Sequence, residues 1–348
     1  MCSSDLEGGK KRPYSVQAEA TVMDVNRQAW SSAANLLVHP ADLYVGLRSE
    51  RYFVPRGTPL KIDLIVTDLD GNPIADQPIE VQAARLEWKL RNGEWQEVEA
   101  DVQTCNPTSQ AEPVSCVFET PIGGRYKITA LISDSQGRQN QSALTRWVSG
   151  GERPASRKIE QEDLTLIPNQ ESYQPGDTAQ VLVLAPFSPA EGLLTVSRSG
   201  ILYTQRFQVT EGSATLEIPI LEEHLPNLDI QVDLVGSAPR TDPAGEPLSD
   251  IPPRPAFASG SLTLNIPPLL RTLDLQLTPA QPELEPGGKT TLDLLLQDAS
   301  GKPVADAEVA VVVVDEAILA LSKYTLADPL SIFYSQRYTY PSSLYGRA

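Results

Sequence analysis

The chain has 348 residues, of which 45 are acidic and 28 basic, giving a formal charge of −17, and it contains 30 prolines. That charge is repelled by phosphate backbones and anionic lipid surfaces, which sets nucleic acid aside as a partner. No stretch reaches the roughly 18 to 20 consecutive apolar residues of a membrane span, and the abundance of Pro, Thr, Val and Leu over helix-favouring runs points to an all-β chain of about two to four domains.

In chain order, Met1-Cys2-Ser3-Ser4-Asp5-Leu6 comes first. It has neither the apolar core nor the small-residue cleavage site of an export signal, and it fits nothing that follows. Cys2 is accordingly not read as a lipidation site. Residues 1–42 read as the last strands of one module, with Tyr14 opening a hairpin pattern that Tyr126 opens again 112 residues later.

Residues 43–150 read as a complete module. A corner at Tyr52-Phe53-Val54-Pro55-Arg56-Gly57 leads into a strand with Ile62, Leu64 and Val66 on one face, the period of a half-buried strand. Cys105 and Cys116 bracket a ten-residue loop containing Pro107 and Pro113. A loop of that kind can bring its ends together in a disulfide, the alternative being two separate buried thiols. Tyr126, Ile128 and Ala130 then share a face before a turn at Asp134 and a strand at Trp147-Val148.

Residues 151–159, charged and poor in apolar side chains, read as a linker. Residues 160–267 form a further module, opened by the corner Tyr173-Gln174-Pro175-Gly176 and carrying the alternating sets Ile230, Val232, Leu234 and Leu262, Leu264, Ile266. Within it, Ser237 to Phe257 is a Pro-rich excursion, read as an exposed loop. Residues 268–348 begin another module: Leu273, Leu275 and Leu277 alternate, and a third corner follows at Leu284-Glu285-Pro286-Gly287.

The three corners place glycine at 57, 176 and 287, 119 and 111 residues apart. A second marker, Asp68-Leu69-Asp70-Gly71-Asn72-Pro73, returns as Asp298-Ala299-Ser300-Gly301-Lys302-Pro303. Repetition at roughly 110 residues is the period of an antiparallel sandwich, so the expected architecture is a tandem array of fibronectin- or immunoglobulin-like domains whose last member is truncated.

Sites of chemistry are decoys. Gly288-Lys289-Thr290 imitates the end of a phosphate loop, but Glu283 stands where its first glycine belongs. Asp68-Leu69-Asp70-Gly71-Asn72 opens like a calcium loop, but Pro73 and Ile74 interrupt it. With two histidines, His39 and His224, neither zinc nor a nucleophile–base pair has the residues it needs. No catalytic residue, cofactor or metal is expected.

The most individual stretch runs from Ala310 to Arg337. Its apolar run, Val309 to Val314, reads as a fully buried strand ending at Asp315. Asp328 then suits an N-cap with Pro329 in the first helical position, and Leu330, Phe333, Tyr334 and Arg337 fall on one helical face. This stretch resembles the hallmark of the bacterial alpha-2-macroglobulin family at Val314, Asp315, Glu316, Ile318, Leu319, Asp328, Pro329, Phe333, Tyr334 and Arg337. Residues Leu43 to Trp88 and Pro255 to Leu262 are similar to that family's tandem macroglobulin-like domains.

The resemblance implies an extracytoplasmic inhibitor of endopeptidases, in the periplasm or at the cell surface, whose full-length form can be lipid-anchored. It implies that a target protease cuts a bait segment and is held by the collapse that follows, with this chain as scaffold upstream of the bait. It further implies that Asp315, Glu316 and Arg337 fix the geometry of the bait-bearing module through a charge pair. The Cys-x-Glu-Gln motif of thioester members is absent from residues 1–348. Two other classes fit the composition: a surface adhesin or stalk of immunoglobulin-like repeats, and an accessory module of a secreted hydrolase presenting Trp30, Trp88, Trp95 and Trp147 as an aromatic platform.

Overall fold

A computed structural model of the chain describes residues 11–91, 94–151, 162–242, 248–281, 283–285, 287–314, 327–339 and 341. Among the described residues, twenty strands, one short α-helix and two single-turn 3-10 helices carry the regular structure, so the all-β expectation holds.

The first hairpin joins β1 (Tyr14–Met23) and β2 (Ala29–Val38), antiparallel with Tyr14 opposite Val38. The first body follows. Its three-stranded sheet orders β3 (Tyr44–Arg48), β5 (Leu60–Thr67) and β8 (Val114–Phe118) side by side. Its five-stranded sheet runs from β4 (Phe53–Val54) through β10 (Gln139–Val148), β9 (Gly124–Ser133) and β6 (Glu80–Arg91) to β7 (Glu94–Cys105).

The second body repeats this plan. The sheet of β12 (Thr165–Pro168), β13 (Thr178–Leu184) and β16 (Ser213–Pro219) faces a five-stranded sheet. That sheet orders β11 (Glu162–Asp163), β18 (Arg254–Asn265), β17 (Asn227–Ala238), β14 (Ala190–Ser197) and β15 (Ile201–Val209). Three strands against four long ones, linked in this order, is a fibronectin-type sandwich.

Alternation builds each core. Along β5, Leu60, Ile62, Leu64 and Val66 are fully buried and meet Val81, Ala83, Tyr126, Ile128 and Ala130 from the facing sheet. At about 25 cal/mol per Å² of apolar surface, each such side chain contributes about 1.5 to 3 kcal/mol. Tyr126 adds a lock: its hydroxyl donates to the carbonyl of Ile122 at 2.9 Å, the tyrosine corner of sandwich folds. The second core joins Val181, Val183, Leu216 and Ile218 to Leu194, Val196, Ile230, Val232 and Leu234.

Turn chemistry explains the repeated markers. Gly57, Gly176 and Gly287 all take positive φ (83°, 99° and 86°), the conformation that favours glycine. In the second corner the Asp177 N–H closes on Gln174, so Pro175 holds the second turn position. In the first, Thr58 closes on Pro55 itself, one residue earlier than expected, and Arg56 takes that position. The Asp-centred turns form a set of four. Asp24, Asp68, Asp134 and Asp298 each accept, at Oδ1, the N–H groups two and four residues ahead. The residue three ahead has positive φ each time: Arg27, Gly71, Gly137 and Gly301. The resemblance of residues 68–72 to a calcium loop is this turn.

The bodies also meet. β13 is buried on both faces: Val181 and Val183 point into their own core, while Leu182 and Leu184 pack with Phe53, Trp147 and Ile167. The Tyr52 N–H donates to the carbonyl of Asn169 at 3.1 Å, and the Gly150 N–H donates to Ser213 Oγ at 2.7 Å.

Beyond the second body, β19 (Leu273–Pro279) and β20 (Leu292–Asp298) pair as a hairpin. Leu273, Leu275 and Leu277 share one face as expected, but that face is exposed. Residues 309–314 form no strand and stand open, Val313 at 85% exposure, which corrects the expectation of a buried strand. A valine run is buried only between paired neighbours and under a second layer, and among the described residues neither lies over it.

Candidate functional site: a strap returning to the second body

The residues singled out by the sequence lie in two places. Cys105, ending β7, and Cys116, in β8, are joined as a disulfide with Cα atoms 6.2 Å apart, tying the edges of the two sheets of the first body. The remainder belongs to residues 314–337. Val314 is exposed, and Asp315, Glu316, Ile318 and Leu319 lie outside the described residues, as does any charge pair they make.

Residues 327–339 form a strap. It begins with α1 (Pro329–Phe333), whose cap follows from residue chemistry: Asp328 accepts the N–H groups of Leu330 and Ser331, and Pro329 has no N–H to leave unpaired. The helix stops after five residues, so the expected face through Arg337 does not form. Phe333 is 76% exposed, whereas Tyr334 packs against the second core.

After the helix the chain is held by side chains that the sequence did not mark. Asn227 Nδ2 donates to the carbonyl of Arg337 at 2.7 Å, and the Arg337 N–H donates to Asn227 Oδ1 at 2.9 Å. Two residues on, the Thr339 N–H donates to Asp229 Oδ2 at 3.1 Å, and Thr339 Oγ1 accepts the N–H of Gly200 at 3.0 Å. Asn227 and Asp229 are two apart on β17, hence on the same outer face, with Leu228 and Ile230 turned into the core. The strap explains why a polar Asn227 on that face is fully buried.

Charges of both signs surround the strap, Arg198 and Arg337 against Asp229 and Glu223. Burial, then the positive charge of Arg337, push the Arg198 guanidinium below its ordinary value, and its Nη2 donates to the carbonyl of Leu225. His224 is buried in the adjoining turn, where its Nδ1 accepts the Leu221 N–H at 3.0 Å; burial pushes its pKa down. Among the described residues no group of three or more His, Cys, Asp or Glu could hold a metal ion, and no helix is long and apolar enough to cross a membrane. Of the tryptophans whose side chains are described, Trp147 lies between the bodies, while Trp30 and Trp88 stand exposed on β2 and β6; the side chain of Trp95 lies outside the described residues.

The chemistry available here is that of holding rather than reacting: a backbone segment is gripped by an amide and a carboxylate. Nothing in the spacing of Asn227 and Asp229 announces this, since their partners lie 110 residues away.

Comparison with known proteins agrees with the sequence motif. Residues 164–321 match the family described as the alpha-2-macroglobulin bait region domain, a match that opens with the second body. The chain is 23% identical over 338 residues to an alpha-2-macroglobulin homolog of Nostoc sp., covering 93% of this chain and 17% of the relative. It is also 23% identical over 376 residues to circularly permutated Ras protein 2 of Dictyostelium discoideum, covering 92% of this chain and 9% of that one. The native conformation of Escherichia coli alpha-2-macroglobulin aligns over 94% of this chain and 22% of that one, at 18% identity and a TM-score of 0.32. The chain thus spans less than a fifth of the length of either curated relative. With the bait-region match laid over the second body and the hairpin after it, and the Val-Asp-Glu motif lying within that match, residues 164–321 match the alpha-2-macroglobulin bait region domain and the chain as a whole is similar to alpha-2-macroglobulin homologs.

Proposed function

We propose that this chain is the scaffold immediately upstream of the bait in an extracytoplasmic endopeptidase inhibitor, which holds its target after the target cuts the bait. The observation that carries the reading is the bait-region match over residues 164–321. Rigid construction supports it: two sandwiches share a buried cluster, and one has its sheets joined by a disulfide, a bond suited to an oxidising compartment. In this reading residues 1–42 end a preceding module, 43–150 and 160–267 are macroglobulin-like modules joined by 151–159, and 268–348 open the bait-bearing module. Asp315, Glu316 and Arg337 set the geometry of that last module.

Inhibition of this kind needs no catalytic group in the inhibitor; it uses a protease-gated rearrangement of domains. The test takes the full-length parent and this chain separately through incubation with trypsin or elastase, followed by assay on a large protein substrate and on a small peptide substrate. The expected result is that the parent slows turnover of the large substrate only, and that this chain slows neither. A parent that is cut without any loss of turnover overturns the proposal in favour of a stalk or adhesin, and strong inhibition by this chain alone overturns its assignment as scaffold.

A further inference from the structure

The departure and the return of the chain at the second body meet at one place. β18 ends at Asn265, paired directly opposite Asn227. The next residue, Ile266, donates its N–H to the carbonyl of Pro226 at 2.8 Å and is itself fully buried. From there the chain runs out through the β19–β20 hairpin, and it comes back at Arg337 onto the side chain of the same Asn227.

We infer that Asn227 and Asp229 form a latch that pins the returning strap, so that the chain leaving at Ile266 and the strap returning at Arg337 are held together at one end of the β17–β18 pair. Three features argue for a built latch. Asn227 uses its amide in both directions, donor to a carbonyl and acceptor from an N–H, the pairing one strand offers another. Asp229 repeats the grip two residues on and is held by Thr263 Oγ1, which donates to its Oδ1 at 2.8 Å. Tyr334 anchors the strap on the second core.

A segment held by hydrogen bonds and one packed tyrosine opens without unfolding the body beneath it. Combined with the inhibitor reading, on which this consequence alone rests, the latch holds the excursion in place before the bait is cut.

Amide hydrogen exchange on the whole chain tests the latch. Two variants alter the strap and leave every residue of the body in place: Arg337→Pro removes the N–H donor to Asn227 together with the guanidinium, and Thr339→Pro removes the N–H donor to Asp229 together with the acceptor of the Gly200 N–H; Asn227→Asp removes the donor to the Arg337 carbonyl. Peptides covering residues 330–339 are expected to exchange at least about tenfold faster in each variant, a change of about 1.4 kcal/mol. Peptides of β13 and β14 are expected to keep their protection in the two strap variants. If the strap peptides of the unaltered chain are already unprotected, or if Arg337→Pro and Thr339→Pro leave their exchange unchanged, the latch does not exist. Should Asn227→Asp loosen the body as a whole, the two strap variants decide. Failure of the parent to inhibit proteases would leave this exchange result standing.

Discussion

Phe53→Ala separates coupling between the bodies from stability within them. Phe53 belongs by sequence to the first body, where β4 pairs with the end of β10, yet its ring lies 1% exposed against Leu182 and Leu184 of β13. A buried phenylalanine covers on the order of 150 to 250 Å², which at about 25 cal/mol per Å² is about 4 to 6 kcal/mol. Measured truncations of this kind fall at about 3 to 5 kcal/mol. The cluster is lost whenever either body opens, so its free energy protects both. Phe53→Ala is therefore expected to raise native-state amide exchange in β5 and β9 and also in β13 and β17, by about two to three and a half orders of magnitude. Ile62→Ala is the control, because Ile62 lies wholly within the first core and its loss accelerates exchange there only. If Phe53→Ala leaves the amides of β13 and β17 unchanged, the cluster is not an interface in any energetic sense and the reasoning fails.

Three further outcomes are expected. Replacing Cys105 and Cys116 by serine frees a loop with a sequence separation of 11, which lowers the stability of the first body by about 2 to 3 kcal/mol in urea melts of otherwise identical chains. Tyr126→Phe removes the hydrogen bond to Ile122 while keeping the ring, at a cost of about 1 kcal/mol; a loss near zero would mean that water replaces the hydroxyl. His224 has a lowered folded pKa, so its contribution is complete above the unfolded value of about 6.5 and is lost as pH falls through the folded value. Asp134, held to about 2, gives way only below about pH 4: burial works against its charge, but the N–H groups of Asp42, Arg138 and Gln136 and the Arg138 guanidinium overcome it. Urea midpoints of the second body between pH 7.5 and 5.5 should therefore fall in the unaltered chain and flatten in His224→Gln.

What the sequence made legible was local. Ile62, Leu64 and Val66 alternate because one face of β5 is buried and the other is not, and that period survives any detail of packing. Gly57, Gly176 and Gly287 mark corners because positive φ excludes most other residues. The partners of whole faces were not legible. Leu182 and Leu184 alternate with Val181 and Val183 in an unbroken apolar run, and a strand covered on both sides carries no mark of which face meets its own core. The Leu273, Leu275, Leu277 face and the run at 309–314 follow the pattern of buried strands, but a pattern reports what a face can bury and not whether a layer lies over it. In the candidate site, the Asp328-Pro329 cap was readable because capping is settled within four residues. Asn227 was not, because an asparagine at the start of a strand is ordinary until a distant segment lies against it.

Under the function proposed above, these particulars bear on how a scaffold beside a segment that is cut can be built. A scaffold of independent sandwiches on flexible tethers would pass no strain from one module to the next, since each would reorient freely once the chain was severed. Here the two bodies share Phe53, Trp147, Leu182 and Leu184, so a force on the second is felt by the first. The excursion beyond Ile266 is attached to the second body by its covalent start and by the grip of Asn227 and Asp229 at its return. Stiffness is thus placed where cores are deep, and the returning strap is held by hydrogen bonds to Asn227, Asp229 and Gly200 and by one packed tyrosine. Substitutions in the cores should change how much folded protein there is, whereas substitutions at Arg337, Thr339, Asn227 or Asp229 should change how readily the excursion departs from an intact body.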